Sequence, residues 1–333
     1  MRSVLKTLAS LRLTMAGLAA LIINCVAISQ WPEAALAWVV LPLSVLAANL
    51  FAALIVRHAF RHQAALLMFH VGLLAVLMLV AAGVLLRFEG SVELVEGEAF
   101  DAGGVTARGT GWLHPDRLER VDFTQGPLEV HYRSGLQRDT THSRVVMGRQ
   151  DDGAIQRDFG DREGFTAQGY RFMTTFNKGY SVLVLWRDTA GRESLGAVNF
   201  PSYPEFDWKQ ANDWVTPAGE TLTLELQLAQ RVPEDSPWTL SSRGIRYEVG
   251  VAGDGRTRET IGPGQPIAVA GGEIEIVDLR LWMGYRIDYN PLLPWLLTAA
   301  FLSLGALAVH MAQKFRAAGA AQTVAVSGSE QAA

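Results

Sequence analysis

Cysteine is nearly absent: the 333 residues contain one, Cys25. Disulfides within the chain are thereby excluded, and so is a two-cysteine redox function. Excess positive charge is also missing where it would matter for nucleic acid. Residues 88–290 hold 31 acidic and 21 basic side chains, a net of −10, which leaves no basic stripe to neutralise phosphates. HExxH, CxxC and GxSxG patterns are lacking, as are Walker and Rossmann fingerprints in a usable context, so no enzyme signature is present. Charge is absent from four long stretches as well. Residues 34–56, 64–86 and 291–313 contain no Asp, Glu, Lys or Arg, and 13–29 follow the last charge, Arg12.

Those stretches are what the chain has in abundance. A membrane helix needs about 20 predominantly apolar residues to cross a hydrocarbon layer of about 30 Å. The four runs predict transmembrane helices in a 3+1 arrangement, with a large all-β extracytoplasmic domain inserted between the third and fourth. The boundaries are an N-terminal membrane region 1–87, a polar domain 88–290, a fourth span 291–313 and a disordered tail 314–333, rich in Ala, Gly, Ser and Gln from Ala317 on. Arg2 and Lys6 ahead of the first run also fit a signal peptide. Two further spans follow at once and no small-residue cleavage site stands out, so a retained helix is expected.

Charge placement predicts the orientation. Arg2, Lys6 and Arg12 precede the first span, Arg57 and Arg61 lie between the second and third, and Lys314 and Arg316 follow the fourth. The link Gln30-Trp31-Pro32-Glu33 has no basic residue, and only Arg87 stands on the opposite side. By the positive-inside rule both termini and the 57–63 loop are cytoplasmic and residues 88–290 extracytoplasmic; the membrane expected is the cell's inner (cytoplasmic) one, which would make that domain periplasmic.

Within that domain, residues 91–100, 120–133, 180–187, 220–232, 244–251 and 272–287 show period-two alternation rich in Val, Leu, Ile, Tyr and Phe. Turn chemistry separates them at Gly103-Gly104, Asp151-Asp152-Gly153, Asp188-Thr189-Ala190-Gly191, Gly253-Asp254-Gly255 and Gly271-Gly272. An antiparallel sandwich or barrel-like assembly is expected, tethered to the membrane at both ends.

Histidine is the residue type that points to chemistry. His70 is the seventh residue of the third span, about 9 Å in from its cytoplasmic edge at 1.5 Å per residue. An ionisable side chain at that depth is costly and marks a functional candidate. Neutral imidazole is a common ligand of haem iron, and it also forms hydrogen bonds across helix interfaces, so ligand and packing roles both stand. Gly72, two residues on, admits a planar group or a second helix. His310 lies three residues from the end of the fourth span, where an interfacial role outweighs a shared site with His70. His58 and His62 are i,i+4 neighbours read as a solvated face rather than a metal site. His114, His131 and His142 are isolated in sequence. Trp31, Trp112, Trp282 and Trp295 lie near span ends or the base of the domain, and an aromatic belt accounts for Trp31 and Trp295. Asn24 and Asn49, inside the first two spans, are expected to bond between helices.

Taken together, several segments resemble the ResB (also called CcsB) proteins. They are Ala27-Ile28-Ser29-Gln30 after the first span, Phe69-His70-Val71-Gly72-Leu73-Leu74 in the third, and the exit from Phe88-Glu89-Gly90 through Gly97-Glu98. Val198-Asn199-Phe200-Pro201 and Trp282-Met283-Gly284-Tyr285-Arg286-Ile287-Asp288, followed by a last span containing Gly305, add to it. Departures are Ala27-Ile28-Ser29 in place of the usual Gly-Thr before the Gln, and Asp288-Tyr289-Asn290-Pro291 in place of Asp-Pro-Gly.

The resemblance implies one half of a system II cytochrome c synthase, an accessory subunit that is not catalytic alone. Its partners would be membrane lipid, a CcsA-like protein bearing a tryptophan-rich haem motif, which this chain lacks, and apocytochrome c. Haem would be handled transiently, with His70 matching by position the third-span axial ligand and the second ligand assigned to the partner. A structural membrane subunit whose β domain docks an extracytoplasmic partner, without haem ligation, is the alternative.

Overall fold

The computed structural model describes residues 2–31, 37–57, 60, 63–148, 155–230, 232–253 and 256–330, with side chains at 2, 3, 37, 256 and 318–330 left out. The chain divides into two compact units. One comprises Met1–Glu89, Arg108–Pro115 and Tyr289–Ala333, and the other Gly90–Ala107 and Asp116–Asp288.

The first unit is helical: α1 (Arg2–Leu8), α2 (Leu11–Gln30), α3 (Val40–Val56), α4 (Ala64–Leu86) and α5 (Leu293–Glu330). The helices α2, α4 and the Leu293–Ala317 part of α5 are long and apolar enough to cross a membrane. At 1.5 Å per residue the 23 residues of α4 extend about 35 Å, more than a hydrocarbon layer of about 30 Å. None of its residues is buried by the rest of the chain. An apolar run of that length, covered only in part by its neighbouring helices, fits an apolar surrounding such as hydrocarbon. Helix α3 has 17 residues, about 25 Å, and is too short by itself. Residues 34–36, where the second span was expected to begin, lie outside the described residues, as do His58, Arg61 and His62.

Helices α1 and α2 pack on α3, α3 on α4, and α4 on α5. Ser10 caps α2, its Oγ accepting from the Leu13 N–H at 3.3 Å. Buried Asn49 of α3 accepts from Thr14 Oγ1 at 2.8 Å and donates to the carbonyls of Leu8 and Ser10, tying three helices with one amide as the sequence suggests. Asn24 differs from expectation: its Nδ2 donates to Ala20 O at 2.9 Å, one turn back in the same helix. In an apolar setting the nearest carbonyl satisfies such a donor. The tail also differs, since α5 continues as helix to Glu330. Ala317, Ala318, Ala320 and Ala321 give that segment strong helix propensity.

The second unit is β-rich, and its only helical pieces among the described residues are short 3-10 turns. A seven-stranded sheet has the order β2 (Thr106–Thr110), β1 (Phe88–Val95), β15 (Gly272–Tyr289), β7 (Tyr170–Asp188), β6 (Gly164–Ala167). To it β14 (Pro266–Val269) adds on β15 and β8 (Glu193–Asn199) on β7. A four-stranded sheet runs β13 (Arg256–Ile261), β12 (Tyr247–Gly253), β10 (Thr221–Leu228), β9 (Ala211–Val215). The third runs β11 (Trp238–Leu240), β3 (Phe123–Arg133), β4 (Gln137–Met147), β5 (Ile155–Phe159). Strand β10 shows the logic plainly. Leu222, Leu224 and Leu226 are buried while Thr221 and Thr223 face outward, the period-two pattern of a half-buried strand.

Strands β7 and β15 form the spine. They pair antiparallel from Gly272↔Asp188 to Asp288↔Arg171, with bulges between Ile276/Asp278 and Met283/Tyr285. Their inward residues Val182, Val184, Ile274, Ile276, Leu281 and Met283 are all buried. An aromatic cluster adds to this core, with Phe165 stacked on Phe172 at 5.1 Å and Phe123 edge-on to both. Each such ring contributes about 1.5–3 kcal/mol by burial. The Tyr285 hydroxyl donates to Gln125 Oε1, so the polar atom inside the cluster is satisfied.

Candidate functional site around His70

His70 lies on the charge-free α4, half-buried. Its Nδ1 is 2.8 Å from Leu66 O, one turn earlier. A carbonyl only accepts, so Nδ1 carries the proton, and in the neutral ring the lone pair falls on Nε2. That tautomer suits iron ligation, because a backbone carbonyl fixes the ring while the other nitrogen is left to coordinate. The imidazole is flanked by Phe60, 4.6 Å between ring centres, and by Phe69 at 4.9 Å. Phe60 is tilted at 58° to the imidazole and Phe69 meets it at 79°, so two aromatic rings flank the histidine.

Gly72 resolves one of the alternatives open in sequence. What approaches it is a helix: a Cβ there would overlap Ser303 Oγ and stand 3.2 Å from Ser303 Cβ and 3.3 Å from its Cα. Small residues at a membrane-helix contact let backbones come close. Near the other end of α4, Gly83 faces Asn290, so α4 and α5 run antiparallel.

His310 sits seven residues beyond Ser303, two turns along the same face of α5, and is 7% exposed. Its side chain is thus packed within the helical unit, where the sequence suggests one reaching out toward head groups. The two histidines are not at one level. His70 lies about 3 Å from the Gly72–Ser303 contact and His310 about 10 Å from it in the same direction, an offset of about 7 Å.

The other histidines separate clearly. His114 belongs to the helical unit, which corrects the 88–290 boundary of the polar domain. Gly111 N–H donates to Arg87 O at 2.8 Å and Leu113 N–H to Leu85 O at 2.8 Å, while His114 Nδ1 lies 3.2 Å from Leu86 O. The loop thus satisfies carbonyls that the end of α4 leaves unpaired. The His114 ring stacks on Phe88 at 5.2 Å and meets Tyr289 edge-on at 5.1 Å. His131 and His142, isolated in sequence, are brought to 5.5 Å by the β3–β4 register, with His131 Nδ1 2.8 Å from Thr239 Oγ1. No third His, Cys, Asp or Glu completes a metal site among the described residues.

Trp31 and Trp295 are 67% and 66% exposed. Trp282 is instead buried in β15, its Nε1 donating to Phe200 O at 2.9 Å. Arg87, on the unexpected side by charge, pairs with Glu89 at 3.5 Å and so presents little net charge.

One cluster has no forerunner in the sequence. Fully buried Lys178 donates to Asp161 Oδ1 at 2.5 Å and to Thr175 O at 2.9 Å. Asp161 also accepts from Thr141 Oγ1 at 2.9 Å, and Arg138 bonds Glu205 at 2.9 Å. Burial pushes the Lys178 amine down from its usual range, against the opposing pull of Asp161. Burial likewise lifts the Tyr132 hydroxyl to about 12. Two cations and two anions balance, so the cluster is a structural tie between strands. Alternating polarity carries no sign of it, since its members are scattered from 138 to 205.

No known family model matches the chain, and no curated protein matches it.

Proposed function

We propose that this chain is a ResB/CcsB-like accessory subunit of a system II cytochrome c synthase, with His70 an axial ligand to haem carried as cargo. The observation that carries the reading is the 2.8 Å contact of His70 Nδ1 with Leu66 O in a charge-free, membrane-length helix, which anchors the ring through Nδ1 and leaves Nε2 as the basic nitrogen. Phe60 and Phe69 supply the apolar flank that a porphyrin edge favours. His310 remains a weak second candidate, its offset from His70 consistent with a second ligand supplied by a CcsA-like partner. Apocytochrome c would be the acceptor.

In this reading α3, with the turn Ala37–Val39 ahead of it, is a fourth span. Both termini are cytoplasmic and the β unit is periplasmic, on the inner membrane. Arg87, a single interfacial residue paired with Glu89, does not outweigh the seven basic residues on the other side.

The contact of Gly72 with Ser303 favours a second reading, a structural subunit in which α4 and α5 are simply packed and the β unit docks a partner. Purification of the chain with its membrane partner and an absorption spectrum separate the two. Ligation predicts a haem Soret band that His70→Ala removes or shifts and that added imidazole restores. A haem-free complex, or normal cytochrome c maturation by His70→Ala, rules the ligand role out.

A further inference from the structure

The loop Gly111-Trp112-Leu113-His114 turns its polar groups one way and its apolar groups the other. Its inward bonds go to the carbonyls of Leu85, Leu86 and Arg87 at the end of α4, all within the helical unit. Gly111 is held so close that an added Cβ would overlap Leu85 O and stand 2.5 Å from Leu85 C, backbone atoms that cannot move aside. The loop is therefore fixed at the level of the last turn of α4. Outward, Trp112 and Leu113 are 80% and 62% exposed. At the same end of the helix pair, where Gly83 faces Asn290, α5 begins with exposed Leu293 and Trp295.

Two adjacent large apolar side chains held outward by a rigid turn are unfavourable in water. Beside the end of a membrane-length helix they meet the headgroup–acyl boundary, the layer where the amphipathic indole ring is most stable. We propose that residues 111–114 form an interfacial wedge whose ligand is the lipid bilayer itself, with Trp112 and Leu113 seated in the leaflet at the C-terminal end of α4. The wedge rests on the reading that α4 crosses a bilayer. Sequence hydropathy misses it, because the contact uses four residues lying more than 20 positions after the span they extend.

The test uses the full chain in phosphatidylcholine vesicles. In a Cys25→Ser background, single variants Leu113→Cys, Met78→Cys and Trp208→Cys each carry an environment-sensitive fluorophore. All three positions are exposed on the protein, so labelling leaves the fold intact. Met78 lies eight residues before the end of α4, about 12 Å deeper than Leu86. Trp208 belongs to the β unit and serves as the reference outside the helical unit. The wedge predicts blue-shifted emission at position 113, quenched more by lipids with a nitroxide near the headgroup than at mid-chain, and the reverse order at 78. A position-113 probe that behaves like 208 while 78 is quenched overturns the wedge and leaves the membrane span standing. Absence of quenching at both removes the span as well. Blue-shifted emission at 113 without quenching by any lipid means that protein covers the loop, which also overturns the proposal.

Discussion

Replacing Gly72 by alanine places one methyl group between α4 and α5. Its carbon would overlap Ser303 Oγ, which donates to Ala299 O at 2.8 Å. Turning the hydroxyl away loses that bond, about 1 kcal/mol. Contacts of 3.2 and 3.3 Å to Ser303 Cβ and Cα remain, and the helices must part by a few tenths of an ångström, an overpacking cost of about 1–2 kcal/mol. Better helix propensity returns about 1 kcal/mol. The net expectation is a loss of about 1–2 kcal/mol. Ser303→Gly in the same chain removes the obstacle and leaves only the propensity gain, so the two changes should couple by about 2–3 kcal/mol rather than add. Reversible unfolding in mixed micelles, titrated with a denaturing detergent, measures all four corners of the cycle. A Gly72→Ala chain that is stabilised by its propensity alone, with no coupling to Ser303→Gly, would refute the helix contact. The same cycle bears on haem. If Gly72 serves packing alone, Ser303→Gly restores haem retention in Gly72→Ala along with stability. If Gly72 also admits the porphyrin, stability returns without the haem.

Asn49→Leu removes three bonds that tie α1, α2 and α3, and should cost about 1–2 kcal/mol in the same unfolding assay; no change would mean that the amide is idle. Lys178→Met leaves Asp161 without its closest cation and should cost about 3 kcal/mol by chemical unfolding, while Lys178→Met with Asp161→Asn should cost clearly less. An equal loss in both chains would show that the charges do not pair energetically. Glu96 gives a pH signature. Burial raises its carboxyl above 4.5, outweighing the N–H bonds from Leu128 and Leu281. The folded state then holds a proton that the unfolded chain has released, so this contribution to stability falls as pH rises from near 4.5 through the folded pKa. Glu96→Gln should flatten that part of the stability–pH curve, and an unchanged slope would contradict the assignment.

The membrane-length helices are legible in sequence because hydropathy is a local property and α4 has no polar interruption but His70. Strands are legible where one face is apolar, as in β10. Strand β4 escapes notice because its buried residues include Thr141 and Ser143, which look polar in a list and are hydrogen-bonded in the fold. Gly72 was visible as a place of close approach, but only three dimensions show that Ser303 occupies it. His114 at the end of α4 and His131 beside His142 are joined by loop return and strand register, long-range facts with no local pattern.

The order of strands has a consequence for how the chain is made. The middle strand of the large sheet, β15, is the last to be synthesised, and its partners on β7 lie 84 to 117 residues earlier. Until Gly272 emerges, β1 and β7 each lack a neighbour, and their open edges are sticky surfaces during biogenesis. Pairing over such separations is slow. Helix α5 begins four residues after β15 ends, so the step that closes the sheet and the step that delivers this apolar helix fall together. A chain that stops before Gly272 has its first helices built and its sheet still unsealed between β1 and β7.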